Sequence, residues 1–157
     1  MIVDRLVTFT GAPNGTTNAV PAQTMTGTGA TIVATDSIDL GVARDMGQGT
    51  DLFGRIQVAT AASGGTSVEF QIVSADDGAI SSNVTVLGTT GAIPVAQLTQ
   101  GARFACMVNP RIARLGQRFL GARAITVGAV AAGAYVIDLG LEIQDGAKFY
   151  ANGFAVL

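Results

Sequence analysis

The sequence predicts an all-β protein: a jelly-roll β-sandwich of about eight strands, formed by residues 1–157 as one domain, with at most one short helical turn. Polar and apolar residues alternate over residues 67–72 of SVEFQIVSA (67–75), as is typical of a half-buried strand. Runs of this kind recur at spacings of about ten residues, with turn signals between them. The composition agrees, because 21 glycines and only 13% charged residues suit many turns and strands.

The strands are predicted from this alternation and from the turn residues that bound them. Residues 1–9 form a first strand or an N-terminal arm, and 11–31 form a long polar loop rich in glycine, threonine, proline and asparagine. The glycines of AASGG (61–65) predict a turn of hairpin length. Further strands are expected at 31–41, 51–60, 67–75, 83–89, 102–109, 118–128 and 134–143.

The remaining segments are predicted to be short or irregular. Pro94 limits 93–98 to an extended link at an edge or in a loop, since proline has no N–H for a sheet ladder. Residues 110–117 are the one helix-like piece, because a proline stands at the first helical position and a glycine can end the turn. Residues 147–157 add a last strand or a tail.

The absence of histidine is the strongest negative observation in the sequence. It excludes Ser–His–Asp and Cys–His catalysis and the usual zinc sites. A net charge of −2 and a pI near 4.8 argue against a nucleic-acid partner, which would need a basic face. No segment has the pattern of a membrane span. The single cysteine, Cys106, is flanked by apolar residues and is predicted to be a buried small hydrophobe.

Carboxylates are the groups left for acid–base chemistry. Glu69 and Glu142 are the only glutamates, and each falls on the polar side of an alternating strand. A glycosidase pair built from these two, or from Asp36, Asp39 and Asp138, would need a defined separation between carboxyl groups. Nothing in the sequence brings such a pair together, so solvated strand faces are the preferred interpretation. We therefore expect no catalytic residue, no cofactor and no metal.

Two adjacent aspartates precede a glycine in SADDGAISS (74–82). The segment lacks the alternating acidic ligands and the closing glutamate of a calcium loop. Aspartate side chains commonly accept hydrogen bonds from the backbone that follows them. A turn held by such bonds is therefore predicted.

The arginines carry the functional signal. The chain has eight arginines against one lysine, and arginine is enriched at protein interfaces where lysine is depleted. Arg111, Arg114 and Arg118 are spaced i, i+3, i+7, so a helical turn would place them on one face. We predict that these three contact a protein partner; solubilising charges and internal ion pairs are the alternative. Five of the eight arginines fall within 103–123, namely Arg103, Arg111, Arg114, Arg118 and Arg123.

A second candidate lies in VARDMGQGTDLFGR (42–55). A nucleotide-binding loop would need a lysine after its glycines, or a helix following them. Here the lysine is missing and an alternating strand follows, so the glycines predict a tight turn. Arg44 and Asp45 are predicted to brace that turn or to face a neighbouring protein.

The ordered series SIDLGVARDMGQG, LFGRIQVATAA and TVLGTTGAIPVAQLTQG resembles the jelly-roll cement, or decoration, proteins of tailed bacteriophage capsids. The resemblance covers residues 31–143 and the first strand. It implies a non-enzymatic virion protein that is made in the bacterial cytoplasm, binds the capsid exterior and clamps neighbouring major capsid subunits. A symmetric homo-oligomer is expected, with a dimer favoured and a trimer possible. A glycan- or receptor-binding tail module is the alternative, although the chain has no tryptophan to stack on sugars.

Overall fold

The computed structural model describes residues 7–12, 14, 16, 20–42, 51–108 and 117–141. These residues form ten strands and one 3-10 turn, Val95–Gln97. The strands are β1 (Gln23–Thr24), β2 (Gly27–Thr28), β3 (Thr31–Val33), β4 (Ile38–Asp39), β5 (Leu52–Gly64), β6 (Ser67–Ala75), β7 (Thr85–Pro94), β8 (Arg103–Val108), β9 (Phe119–Val127) and β10 (Ala129–Gly140). Among the described residues there is no helix long and apolar enough to cross a membrane.

Two antiparallel sheets of five strands pack into a β-sandwich. The first sheet has the order β1-β10-β5-β8, with β2 also paired to β10. The second sheet has the order β3-β9-β6-β7, with β4 also paired to β9. The short strands β1 and β2 share one edge, and β3 and β4 share another. The strands therefore occupy eight positions, as the sequence predicted.

The connections between the sheets have the jelly-roll pattern. Segments 52–75, 85–108 and 119–140 each give one strand to each sheet, and 23–39 supplies the short edge strands. Across both sheets the segments follow one spatial order: 23–39, 119–140, 52–75, 85–108. In chain order 119–140 is the fourth segment, and in both sheets it lies between the first, 23–39, and the second, 52–75. This return of the fourth segment to the side of the first is typical of Greek-key connections in a jelly roll.

Glycines form the corners at which two of these segments pass from one sheet to the other. Gly64 and Gly65 have φ of +72° and +68°, and Gly128 has φ of +77°, a region that side chains with a Cβ disfavour. The two corners lie side by side, because Thr66 N–H donates to Val127 O at 2.7 Å. The predicted hairpin turn at 61–65 is corrected here. Strand β5 continues to Gly64, and the turn that follows changes sheet.

The core lies between the sheets and is built from the alternating faces. Val68, Phe70 and Ile72 are fully buried, as their spacing in β6 predicted. The Tyr135 ring of β10 meets the Phe70 ring edge-on, with centroids 5.0 Å apart. A second, smaller cluster covers the outer face of the second sheet, where Val73 and Ala75 are also buried. That outer cover was not predicted.

Other predicted elements differ in their bounds. The strand expected at 31–41 is divided into β3 and β4, because Asp36 N–H donates to Phe9 O at 2.8 Å instead of joining the ladder. The predicted loop 11–31 contains β1 and β2.

Further differences lie around Pro94 and at the chain ends. Pro94 ends β7, an edge strand, so the edge position was right although 93–94 belong to the strand. Strand β10 begins at Ala129, earlier than predicted. Most of the predicted helix 110–117 and the segment 147–157 lie outside the described residues.

The N-terminal segment is described from Val7 onward, and it runs along the open edge of β10. Thr8 forms an isolated antiparallel bridge with Asp138. Phe9 N–H donates to Ile137 O at 3.0 Å, and the Phe9 side chain is fully buried. This short stretch therefore extends the edge of the first sheet that β1 and β2 occupy.

Candidate functional site

The ends of the strands opposite the glycine corners form one end of the sandwich, which we call the loop end. It consists of 38–42, 51–52, 76–84, 108, 117–119 and 140–141. Leu40 N–H donates to Arg118 O at 3.0 Å, and Leu52 pairs with Val108 across β5 and β8. The residues that flank 43–50 and 109–116 therefore lie together at this end.

Four of the five predicted contact residues fall in those two segments. Arg44, Asp45, Arg111 and Arg114 lie outside the described residues. Arg118, the fifth, lies at the loop end beside the start of β9. The structure thus places residues that flank both predicted segments at the same end of the sandwich as Arg118, although they are distant in sequence.

Arg118 is held by a carboxylate of the same chain. Its Nε donates to Asp39 Oδ1 and its Nη2 to Asp39 Oδ2, both at 2.7 Å. The guanidinium also lies 5.1 Å from the centre of the Phe119 ring. The two side chains remain 48% and 43% exposed, so the pair sits in water. The ion pair links β4, which contains Asp39, to the start of β9.

Asp39 should titrate far below an ordinary aspartate. The hydrogen bond from Arg118, and next the one from Gly41 N–H, lowers the pKa of Asp39 from 3.8 to about 2. Any stability from this pair is present above pH 3.8 and is lost as the pH falls through about 2. In Arg118→Ala we expect the Asp39 pKa, followed by carboxyl NMR, to return towards 3.8.

Asp77 is the matched control for this titration. Its pKa is lowered by hydrogen bonds from its own loop, first from Ser82 N–H, so Arg118→Ala should leave it unchanged. If the Asp39 pKa also stayed near 2 in this variant, the ion pair would not be its cause.

The 76–84 loop at the loop end is held by its own side chains. Asp77 Oδ1 accepts from the backbone N–H of Ser81 at 2.9 Å and of Ser82 at 2.8 Å, and Asp77 Oδ2 accepts from Ser81 Oγ at 2.7 Å. Asn83 Nδ2 donates to Asp76 Oδ2 at 2.6 Å. The predicted aspartate turn is confirmed.

Ile80 at the centre of this loop folds back onto the second sheet. Its φ is +55°, an unusual value for a β-branched residue, and its side chain is buried. A Cβ on Gly121 would lie 2.5 Å from Ile80 Cγ1, so the Ile80 side chain occupies space that is open only because residue 121 is a glycine. The burial of Ile80 offsets part of the backbone strain.

A line of polar side chains crosses the outer face of the second sheet next to this loop; we call Glu69, Gln71, Thr89 and Arg123 the polar row. Glu69 Oε1 accepts from Gln71 Nε2 and from Thr89 Oγ1, both at 2.6 Å. Gln71 Oε1 in turn accepts from Arg123 Nε at 2.8 Å. The bonds from Thr89 and then Gln71, followed by the nearby Arg123 charge, lower the pKa of Glu69.

A buried ion pair lies on the outer face of the first sheet. Arg55 Nε donates to Asp138 Oδ1 at 2.7 Å, and Arg55 Nη2 donates to Leu139 O at 3.3 Å. The two residues are directly opposite across β5 and β10. Burial raises the pKa of Asp138, and the Arg55 charge and hydrogen bond oppose that rise.

The carboxylates considered for catalysis are thus mostly engaged with neighbours. Asp39 and Asp138 each bind an arginine, and Glu69 accepts two hydrogen bonds. Glu142 lies outside the described residues. Within the part of the chain that the structure describes, no group of three or more His, Cys, Asp or Glu residues could hold a metal ion.

Cys106 is buried against the sandwich interior, as predicted. Burial raises the pKa of its thiol, so the thiolate is disfavoured.

The sequence interpretation missed the polar row and the Arg55–Asp138 pair. Both depend on strand register: Gln71 faces Arg123, and Arg55 faces Asp138. A signal was present, because Arg55 and Arg123 are the only charged residues of β5 and β9. It did not identify their partners.

Comparison with known proteins identifies a family. The family model described as Bbp16 matches residues 20–142, a span that contains all ten strands. No curated protein matches the sequence. Because the match covers well over half of the chain, the chain belongs to the Bbp16 family, a phage-related protein family.

Proposed function

We propose that this protein is a cement, or decoration, protein that binds the outside of a bacteriophage capsid and clamps neighbouring major capsid subunits. The observation that carries the proposal is the β-sandwich of a phage-related family, with the flanks of both arginine-bearing segments together at the loop end. In this proposal the protein acts by adhesion and has no catalytic activity.

Physical features of the sandwich suit such a role. Three segments each contribute a strand to both sheets, and hydrogen bonds to Asp77 and the packing of Ile80 hold the 76–84 loop against the second sheet. A pre-organised surface loses little conformational entropy on binding. Many copies on a symmetric lattice would turn a modest contact into strong attachment.

Self-association is part of the proposal. A protein placed on a symmetry axis of a shell favours a symmetric oligomer. We propose a homodimer in preference to a trimer. Sedimentation equilibrium of the purified protein measures this directly.

Cosedimentation with capsid shells tests the function. Purified protein is mixed with shells assembled from the major capsid protein of the same phage and pelleted. We expect saturable binding at a fixed ratio to capsid subunits. A protein that stays in the supernatant, or that instead binds host cells or glycans, would contradict the cement role and favour a receptor-binding module.

The predicted arginines give the matching variant. Changing Arg111, Arg114 and Arg118 together to alanine should leave the circular-dichroism spectrum unchanged and remove the protein from shells. Arg103→Ala is the control, since Arg103 is an exposed arginine on the first sheet. Equal occupancy by the triple variant and the wild type would remove these arginines from the contact.

A further inference from the structure

The arginines that the structure describes differ in their partners. Arg55 binds Asp138 and Arg118 binds Asp39. Over the described residues, no carboxylate oxygen lies within 4.0 Å of Arg123. Arg123 therefore forms no direct ion pair there, unlike the predicted candidate Arg118, although its charge acts on the nearby Glu69 carboxylate.

Arg123 is nevertheless held in one orientation. Glu69 accepts the Gln71 amide N–H, which fixes the amide so that its oxygen faces Arg123 Nε. Gln71 is only 8% exposed, so this amide has little room to turn. The bond uses Nε, and the two terminal nitrogens of the guanidinium make no hydrogen bond within the described structure.

The surroundings of Arg123 suit a protein contact. Partly buried Val33 pairs with Arg123 across β3 and β9, and Ile125 stands two residues further along the same face. Ile80 covers Gly121, two residues before Arg123. An apolar border of this kind excludes water when a partner docks, which strengthens charge-assisted hydrogen bonds.

We propose that Arg123 binds a carboxylate side chain on the capsid surface, with Gln71 and Glu69 as its positioning residues. The inference rests on the proposed function and places the outer face of the second sheet in the contact. The guanidinium is always charged, and its two terminal N–H groups match the two oxygens of a carboxylate. Holding it in place beforehand lowers the entropy cost of the contact.

Arg123→Gln tests the proposal in the shell-binding assay. We expect its dissociation constant to rise at least about tenfold, the effect of one charge-assisted contact. Arg103→Gln is the matched control and should stay within about twofold, since Arg103 lies on the other sheet. If the wild type bound shells and Arg123→Gln bound them with the same affinity, the inference would be overturned and the cement role would stand.

The positioning role has its own readout. Gln71→Ala should weaken shell binding and shift the NMR resonance of the Arg123 Nε–H group. Arg123→Lys keeps the charge but not the planar guanidinium, so its affinity should lie between those of Arg123→Gln and the wild type. If the Arg123 Nε–H resonance did not shift in Gln71→Ala, or if Arg123→Lys bound shells as tightly as the wild type, Gln71 would not be positioning the guanidinium.

A second measurement does not depend on capsids. Titrating a tetraglutamate peptide into the protein should shift the Arg123 Nε–H resonance and leave that of Arg103 unchanged. No shift at Arg123 would overturn the inference even where shell binding cannot be observed. Loss of self-association in Arg123→Gln, measured by sedimentation, would also overturn it, because the occupant of this face would then be a second copy of the chain.

Discussion

Replacing Gly128 by valine is expected to lower the free energy of unfolding by about 3 kcal/mol. Gly128 has φ of +77°, and a Cβ there would lie 3.1 Å from Gly65 Cα and 3.2 Å from Thr66 N. Both contacts are with backbone atoms of the adjacent corner, which cannot swing aside as a side chain could. The measurement is urea unfolding followed by circular dichroism.

Gly91→Val is the matched control. Gly91 has φ of +68°, but a Cβ there would have nothing within 4 Å. This variant therefore carries the backbone cost of about 1–2 kcal/mol without the collision. Equal losses in the two variants would show that the two corners can move apart, and would contradict close packing between Gly128 and the Gly65 corner.

Replacing Arg55 by methionine is expected to destabilise the protein by about 3 kcal/mol at pH 7, because it leaves the Asp138 carboxylate buried without its cation. The Asp138 and Arg55 side chains are 8% and 18% exposed. The guanidinium also packs over Gly140, where a Cβ would lie 2.6 Å from Arg55 Cζ.

The loss in Arg55→Met should depend on pH. Burial already raises the pKa of Asp138 above 3.8, and removing Arg55 raises it further. The folded protein then holds this proton more tightly than the unfolded chain, so stability falls as the pH rises from 3.8 through the folded-state pKa. Urea unfolding at pH 7 and at pH 5 should show a smaller deficit for the variant at pH 5.

The double variant Arg55→Met, Asp138→Leu distinguishes the cost of an unpaired buried carboxylate from the loss of the ion pair itself. Replacing both charges by apolar groups should recover much of the stability, because no buried charge is left unpaired. A deficit in Arg55→Met that is the same at both pH values, with no recovery in the double variant, would contradict a desolvated carboxylate as the cause.

The alternation of apolar and polar residues predicted the strands well, but it did not predict which loops cover them or where the chain changes sheet. Alternation identified Val68, Phe70 and Ile72 as an inward face because that signal depends only on neighbouring residues. The same segment could not reveal that Val73 lies under Ile80, since the cover comes from a loop that folds back. Glycines marked a turn near Gly64 without showing that it changes sheet.

The candidate site shows the same limit. The interface prediction selected Arg111, Arg114 and Arg118 by their helical spacing, a local property. Arg118 and Asp39 are 79 residues apart, and Arg123 and Gln71 are 52 apart. Only strand register brings these pairs together, and a single sequence does not provide register across sheets.

The insertion of segment 119–140 between 23–39 and 52–75 has a consequence for biosynthesis. The first two segments are not neighbours in either sheet, so they have no ladder to form with each other as they leave the ribosome. Both sheets are completed only after residue 140 has been translated, when strands some hundred positions apart must meet, as Ala30 and Thr126 do. Contacts of such long sequence separation are expected to make folding slow.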